Sequence, residues 1–375
     1  MKYCIKCLQP DTRPKIEFNK EGVCPACEYF ETLKSVDWQE RLDVIQQVIK
    51  QHKNGNQFHD CIMGVSGGKD STRQAIFARE KLKLNPLLVS YSYPPDQISQ
   101  TGVDNVSNLI KLGFDVLISA PAPKTSQKLK IAGFEQFTNS FRSTEMALFC
   151  SVFQAALYQG IGLILWGENP GLQLGEKSVL GKEGYDGNNF RRGNTISSGH
   201  AWMEEYVESR HELFPYILPT KELMEQQKID FVYLGWLMGD WSLLNNGAYA
   251  AVEGFDPRDD TPENTGDLTG VSAVDEEHTP VNQLIKYLKF GFGKTTEFVS
   301  EEIRMNRMTR EEGIAIVEKY DGVVNRDRIL KYCEYLKIDE EYFWQKVRLV
   351  VNKDLFYLDN NKNIIKKFKV GYGIK

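Results

Sequence analysis

Long hydrophobic runs are missing from this 375-residue chain. The longest, IGLILW, is far short of the roughly 20 apolar residues that a membrane-spanning helix needs, so no membrane span is expected. The opening MKYCIKCLQP has no apolar stretch of the secretory kind, and a cytoplasmic setting is therefore expected. An excess of positive charge is also missing. Lys and Arg number 46 against 51 Asp and Glu, a net charge of −5, which argues against a nucleic-acid partner because such partners select a basic footprint. There is no low-complexity tract and no internal repeat of solenoid length. What remains is ordinary for a globular protein: 41% apolar and 26% charged residues, in a chain long enough for two or three domains.

Cysteine is sparse, at seven residues, but unevenly spread. Cys4, Cys7, Cys24 and Cys27 form two CxxC pairs separated by sixteen residues. In a reducing compartment disulfides do not persist, and paired CxxC turns present thiolates for a tetrahedral metal site. The spacing is that of a zinc ribbon over residues 1–33, with structural Zn2+ supplying folding energy to a segment with little core. Cys61, Cys150 and Cys333 stand alone and read as core residues. A helix over 34–57 follows, with Asp37 and Glu40 as a capping box, an apolar stripe of Trp38, Leu42, Ile45 and Ile49, and KNGNQ as its end.

From residue 58 to 255 strand-like and helix-like segments alternate: HDCIMGV, PLLVSYSY, FDVLIS and IGLILWGEN, with IDFVYLGWLMG as a candidate fifth strand. Apolar strands separated by helices predict an α/β fold with a doubly wound parallel sheet, whose ligands bind beyond the carboxyl ends of the strands. Residues 169–200, rich in Gly and Asn, read as an irregular insertion. Residues 256–279 read as an acidic surface loop and 280–375 as a helical region, in which Thr309 and Glu312 form a second capping-box pattern.

The first strand runs into Ser66-Gly67-Gly68-Lys69-Asp70-Ser71. This is not a Walker A loop: Lys69 is followed by Asp70, and Gly64 stands one residue too near. It still has the parts of an anion cradle. Gly67 and Gly68 admit close backbone approach, the helix start offers free N–H groups, the serines donate, Lys69 supplies charge, and Asp70 suits a cap or an Mg2+ contact. The hexapeptide resembles the SGGxDS motif of PP-loop ATP pyrophosphatases. That resemblance implies ATP cleavage between the α- and β-phosphates, adenylation of a substrate oxygen, and departure of pyrophosphate into the loop. It also implies a nucleotide site around Ser92, at the end of the second strand beside Tyr91 and Tyr93, and around Gly167.

Over a longer span the chain is similar to the N-acetyl sugar amidotransferases of surface-polysaccharide and flagellin-glycan pathways. YCIKCLQPDTRPKIEFNKEGVCPAC, WGENP and LKFGFGKTTEFVSEEIRMNRMTREEGIAIVEKYDG carry the likeness. It implies that the acetamido group of a nucleotide-linked sugar becomes an acetamidino group, with ammonia from a separate glutaminase similar to imidazole-glycerol-phosphate synthase subunits. A glutaminase within this chain is not expected, because residue 2 is Lys2, Cys150 lies in a helical pattern, and His200 and His211 have no evident catalytic partner. On this reading Lys69, Asp70 and Lys294 are catalytic candidates, and Glu168, Asn169 and Arg304 are candidates for the acceptor. Some have plainer alternatives: Glu168 in a strand-to-loop turn, Lys294 solvated, and Arg304, with Arg307 and Arg310, facing water along one helix. Two rivals stand beside this reading. A tRNA thiolase shares the motif but typically carries further paired cysteines, and a non-catalytic module would hold ATP without cleaving it.

Overall fold

The computed structural model describes residues 1–53, 58–173, 175, 184–193 and 196–374. The four-cysteine turns lead into α1 (Pro25–Thr32), and α2 (Trp38–His52) starts at Asp37, whose carboxylate accepts from the Gln39 and Glu40 N–H groups. Then come β1 (Cys61–Val65), α3 (Lys69–Glu80), β2 (Pro86–Tyr91), α4 (Gln100–Lys111), β3 (Asp115–Ser119), α5 (Pro123–Phe137), α6 (Arg142–Gln159) and β4 (Leu163–Trp166). After the short α7 (Pro170–Gln173) and α8 (Lys221–Gln226) the chain forms β5 (Asp230–Tyr233), α9 (Leu243–Val252) and α10 (Pro262–Thr265). The remainder is α11 (Thr279–Phe290), α12 (Lys294–Arg304), α13 (Arg310–Tyr320), α14 (Arg326–Leu336), α15 (Glu340–Val350), β6 (Phe356–Leu358) and β7 (Ile364–Lys366). Among the described residues no helix is long and apolar enough to cross a membrane.

β1 to β5 form one parallel sheet in the order β3-β2-β1-β4-β5. Alternation along the strands supplies both layers. Ile62, Leu87, Val89, Ile164 and Phe231 pack under α6, while Met63, Leu88, Leu163, Leu165 and Val232 pack under α2, α3 and α4. Winding reverses between β1 and β4, and a crevice opens at such a switch point beyond the strand ends. Crowding there is tight: a Cβ at Gly64 would sit 2.7 Å from the Trp166 ring. α2 proves to be part of the sheet domain, because Ile45 and Ile49 join its core. The end of that helix at KNGNQ lies largely outside the described residues.

The acidic segment 256–279 is not a solvated loop, as its composition suggested. It crosses the start of α4 as a strap. Ser99 N–H donates to the Asp275 carbonyl at 3.2 Å, and Asn105 Nδ2 to the Asp256 carbonyl at 2.8 Å. Two of its acids are held by ion pairs: Arg258 of the strap and Arg328 of α14 both bind Asp260 and Glu277. The helices after residue 280 share a core that includes Val281, Val299, Tyr332, Phe343 and Phe134 of α5, and they end in the β6–β7 hairpin, which the helical reading did not foresee.

Candidate active site

β1 delivers the loop. Gly67 turns with φ +74°, and a Cβ there would lie 2.8 Å from the Val106 nitrogen, so glycine is required. Gly68 is the N-cap of α3 and has no side chain to cover the helix start, which leaves first-turn N–H groups open to an anion. The Ser66 hydroxyl accepts from Gly68 N–H at 3.3 Å, and Ser71 donates back to the Gly68 carbonyl at 3.0 Å. Lys69 Nζ meets Asp70 Oδ2 at 2.8 Å.

A second contact to Asp70 was not legible in the sequence. Asn246 of α9 donates to Asp70 Oδ1 at 2.6 Å. Arg73, itself paired with Asp240 at 2.7 Å, donates to Asn246 Oδ1 at 2.6 Å. The aspartate is therefore fixed from both sides, pinned by a helix nearly 180 residues downstream.

The loop opens into a cavity of about 910 Å³. Ser66, Gly68, Lys69, Asp70, Ser71, Gly167 and Glu168 line one end. An aromatic wall follows, with Phe149 stacked on Trp166 at 4.5 Å and on Phe190 at 5.5 Å. The strap contributes Val274 and Asp275, and the far wall comes from Arg13 of the cysteine module, Arg142 of α6, and Lys286, Lys289 and Glu297 of the C-terminal helices.

The charges are unequal. Glu168 is open to the cavity but enclosed by protein, and this enclosure, with Asp70 and Glu145 nearby, pushes its carboxyl up to about 7. Enclosure and the neighbouring Glu276 push Asp275 to about 7 as well. Burial acts to raise Glu297 too, but Lys286, Arg13 and Lys294 reverse this and hold it well below the usual carboxylate range. Glu297 meets Lys286 at 2.7 Å and also binds Arg13.

The four cysteines converge. Their Sγ atoms all lie within 4.8 Å of one another, with Cys4–Cys27 at 3.9 Å and Cys7–Cys24 at 3.7 Å. A tetrahedron with metal–sulfur bonds of about 2.3 Å has edges of about 3.8 Å, so the four thiols fit one metal ion. Arg304 packs beside this cluster and does not line the cavity. It is buried, donates to the Leu172 carbonyl at 3.2 Å, and is held charged against burial by Cys7, Cys27 and Cys24.

Other sequence candidates separate from the cavity. Gly67 supports the loop from behind. Ser92 bonds weakly to the Tyr93 carbonyl and Asn169 ties the β4 loop to Gly235, and neither lines the cavity. Lys294 begins α12 beside a recess of about 10 Å³, facing Gly266 and Asp321, while Lys286 takes the cavity wall. Arg307 pairs with Glu302, and Arg310 donates to the Gly371 carbonyl. His200 lies 3.9 Å from Glu204 and His211 bonds Ser209, both remote from the site. Cys61, Cys150 and Cys333 are buried, as expected.

The loop thus sits at the switch point of a five-stranded parallel α/β sheet, joined to a four-cysteine module and a helical C-terminal region. Residues 265–369 match the family described as LPS biosynthesis protein WbpG-like, C-terminal domain. No curated protein sequence matches the chain. Among solved structures it is similar to a Methanocaldococcus jannaschii protein described as a predicted subunit of tRNA methyltransferase, at 14% identity and TM-score 0.29, over 60% of this chain and 87% of that one. The NH3-dependent NAD synthetase of Campylobacter jejuni gives 14% identity and TM-score 0.29 over 60% and 99%. The U34-tRNA thiolase NcsA of Methanococcus maripaludis, solved with its iron–sulfur cluster, gives 11% identity and TM-score 0.35 over 88% and 89%.

Proposed function

We propose that this chain is an AMP-forming, ATP-dependent sugar amidotransferase that acts in the cytoplasm on an N-acetylated nucleotide sugar during lipopolysaccharide or related surface-glycan synthesis. The acetamido oxygen attacks the α-phosphorus of ATP, the bond from that phosphorus to the bridging oxygen breaks, and pyrophosphate leaves. Ammonia then adds to the activated carbon, a proton is lost, and AMP departs with the former amide oxygen, leaving an acetamidino group. The observation that carries the reading is one cavity shared by the Ser66–Ser71 loop and by residues of the WbpG-like domain.

The chain's own groups suit such a sequence. Lys69 and the open α3 N-terminus cradle departing negative charge, and Asp70 is positioned by Asn246. Mg2+ bound near Asp70 would neutralise phosphate charge. Glu168, poised near neutrality, would take the proton lost after ammonia adds. The aromatic wall limits water, which competes with ammonia. The four cysteines would hold structural Zn2+. Ammonia would come from a partner glutaminase. The thiolase rival finds no reactive thiol in Cys61, Cys150 or Cys333, which are buried with their thiols held protonated.

The test incubates the protein with ATP, an N-acetylated nucleotide sugar, and either ammonium or glutamine alone. AMP, pyrophosphate and a sugar in which O is replaced by NH are expected with ammonium, and none with glutamine alone. ADP and orthophosphate as the only products would defeat the reading. AMP release that requires tRNA would favour the thiolase.

A further inference from the structure

The cations lining the cavity are not partnered alike. Lys69 has Asp70, and Arg13 and Lys286 share Glu297. Lys15, at the rim, donates to the Arg192 carbonyl at 2.7 Å. Arg142 and Lys289 have no carboxylate within ion-pair distance among the described residues.

Both meet at the elbow between α5 and α6. Lys289 donates to the carbonyls of Phe137 at 2.7 Å and Thr138 at 3.1 Å, where Thr138 turns left-handed and ends α5. An ammonium group has three donors, so one is left for the cavity. The Arg142 guanidinium lies 4.0 Å from the Phe137 ring centre, and its Nε has no hydrogen-bond partner. Arg142 is the first residue of α6, whose N-cap, Phe141, offers no side-chain oxygen, so no side chain caps the helix start and Glu145 is the one acid in its first turn.

The arrangement is costly as it stands. Burial, with Arg142 beside it, lowers Lys289 to about 8, and burial lowers Arg142 against the pull of Glu145. Two like charges are held together where a neutral donor would cap α5 equally well. Excess positive charge facing a cavity is what an anion site requires.

The elbow and the phosphate loop line the same cavity from different elements: the loop joins β1 to α3, and the elbow joins α5 to α6.

We propose that Arg142 and Lys289 form an anion subsite that holds a carboxylate or phosphate group of the acceptor while the loop holds ATP. Assigning this anion to the acceptor rests on the reading above, whereas the subsite itself does not. The acceptor is then anchored by its anion at one end, with its reacting amide lying between elbow and loop.

The test is calorimetric titration of the full chain, with the loop filled by α,β-methylene ATP. The probes are N-acetylglucosamine 1-phosphate, N-acetylneuraminate and neutral N-acetylglucosamine. At least one anionic probe should bind better than the neutral sugar. Arg142→Gln and Lys289→Gln should each weaken it about tenfold or more, and Lys289→Arg should retain it. Binding above pH 8 should also take up protons, because an anion restores the Lys289 charge. Preference for the phosphate probe assigns a phosphate, and preference for the acid assigns a sugar carboxylate. Anionic probes no better than the neutral sugar would overturn the proposal. So would undiminished binding in both glutamine variants, or a parallel loss of nucleotide affinity. No turnover is needed, so this result and the AMP-release result can fail independently.

Discussion

At the loop end of the cavity, the charges of the loop itself are matched. Lys69 pairs with Asp70, Asp70 with Asn246, and Arg73 with Asp240. At the elbow end Arg142 and Lys289 stand together with no ion pair among the described residues, and Glu145, one turn along α6, is the acid that Arg142 feels. The matched end is rigid before ligand arrives, which suits a group that must meet developing charge in a fixed geometry. The unmatched end retains its attraction for something that comes and goes. If both ends served one ligand, substitutions at either would produce the same kinetic defect.

The largest effect should come from the matched end. Lys69→Ala should lower kcat for AMP release by about 10³-fold with the fold intact, as measured by single-turnover AMP formation. Next comes the metal. Chelation, or Cys27→Ser, should unfold the cysteine module and remove Arg13 from the far wall, raising KM for the acceptor while nucleotide-analogue binding persists. Metal analysis of the purified protein should find one ion per chain.

Glu297→Gln strips a shared partner from Lys286 and Arg13 and should cost about 3 kcal/mol in denaturant unfolding. Because the folded Glu297 carboxyl lies below its unfolded value of about 4.3, its contribution is full above that pH and disappears as pH falls through the folded value. The variant should therefore show a shallower acid-denaturation slope. Asn246→Ala should lower kcat about tenfold by releasing Asp70, with little change in acceptor KM.

The smallest effect is a pH dependence. Glu168 is raised to about 7, so the folded state binds its proton more tightly and stability falls as pH rises from the unfolded value toward 7. Glu168→Gln should flatten that decline in thermal melts and remove the limb of the AMP-release profile that rises with pH near neutrality.

The matched end was largely legible in the sequence. A strand, a glycine pair and a helix start are local patterns, and four cysteines at fixed spacing need no tertiary information. Asn246 was hidden because LLNNGAYAAV contains turn-forming Asn-Asn-Gly, yet Ser242 caps it into a helix by accepting from Asn245 N–H at 3.1 Å. The unmatched end was invisible for a different reason. Lys286 and Lys289 look like the solvated face of an amphipathic helix, and only the docking of α11 against the end of α5 turns that face into a wall. Lys294 stood out through its glycine neighbours, but those glycines serve the turn into α12, where Asp321 accepts from Gly293 N–H at 2.8 Å and Thr296 Oγ1 at 2.6 Å.

The strap across α4 bears on how these proteins diversify. Its backbone lies so close to Gly102 that a Cβ there would be 2.5 Å from Asp275 Cα, and the same helix backs the loop at Gly67. Matched family residues begin at 265, partway along this crossing segment. A chimera spliced at that point would join a strap from one parent to a helix shaped for another. Successful transplantation of acceptor preference should therefore need the crossover moved upstream to Gly254, so that segment and helices travel as one inheritance.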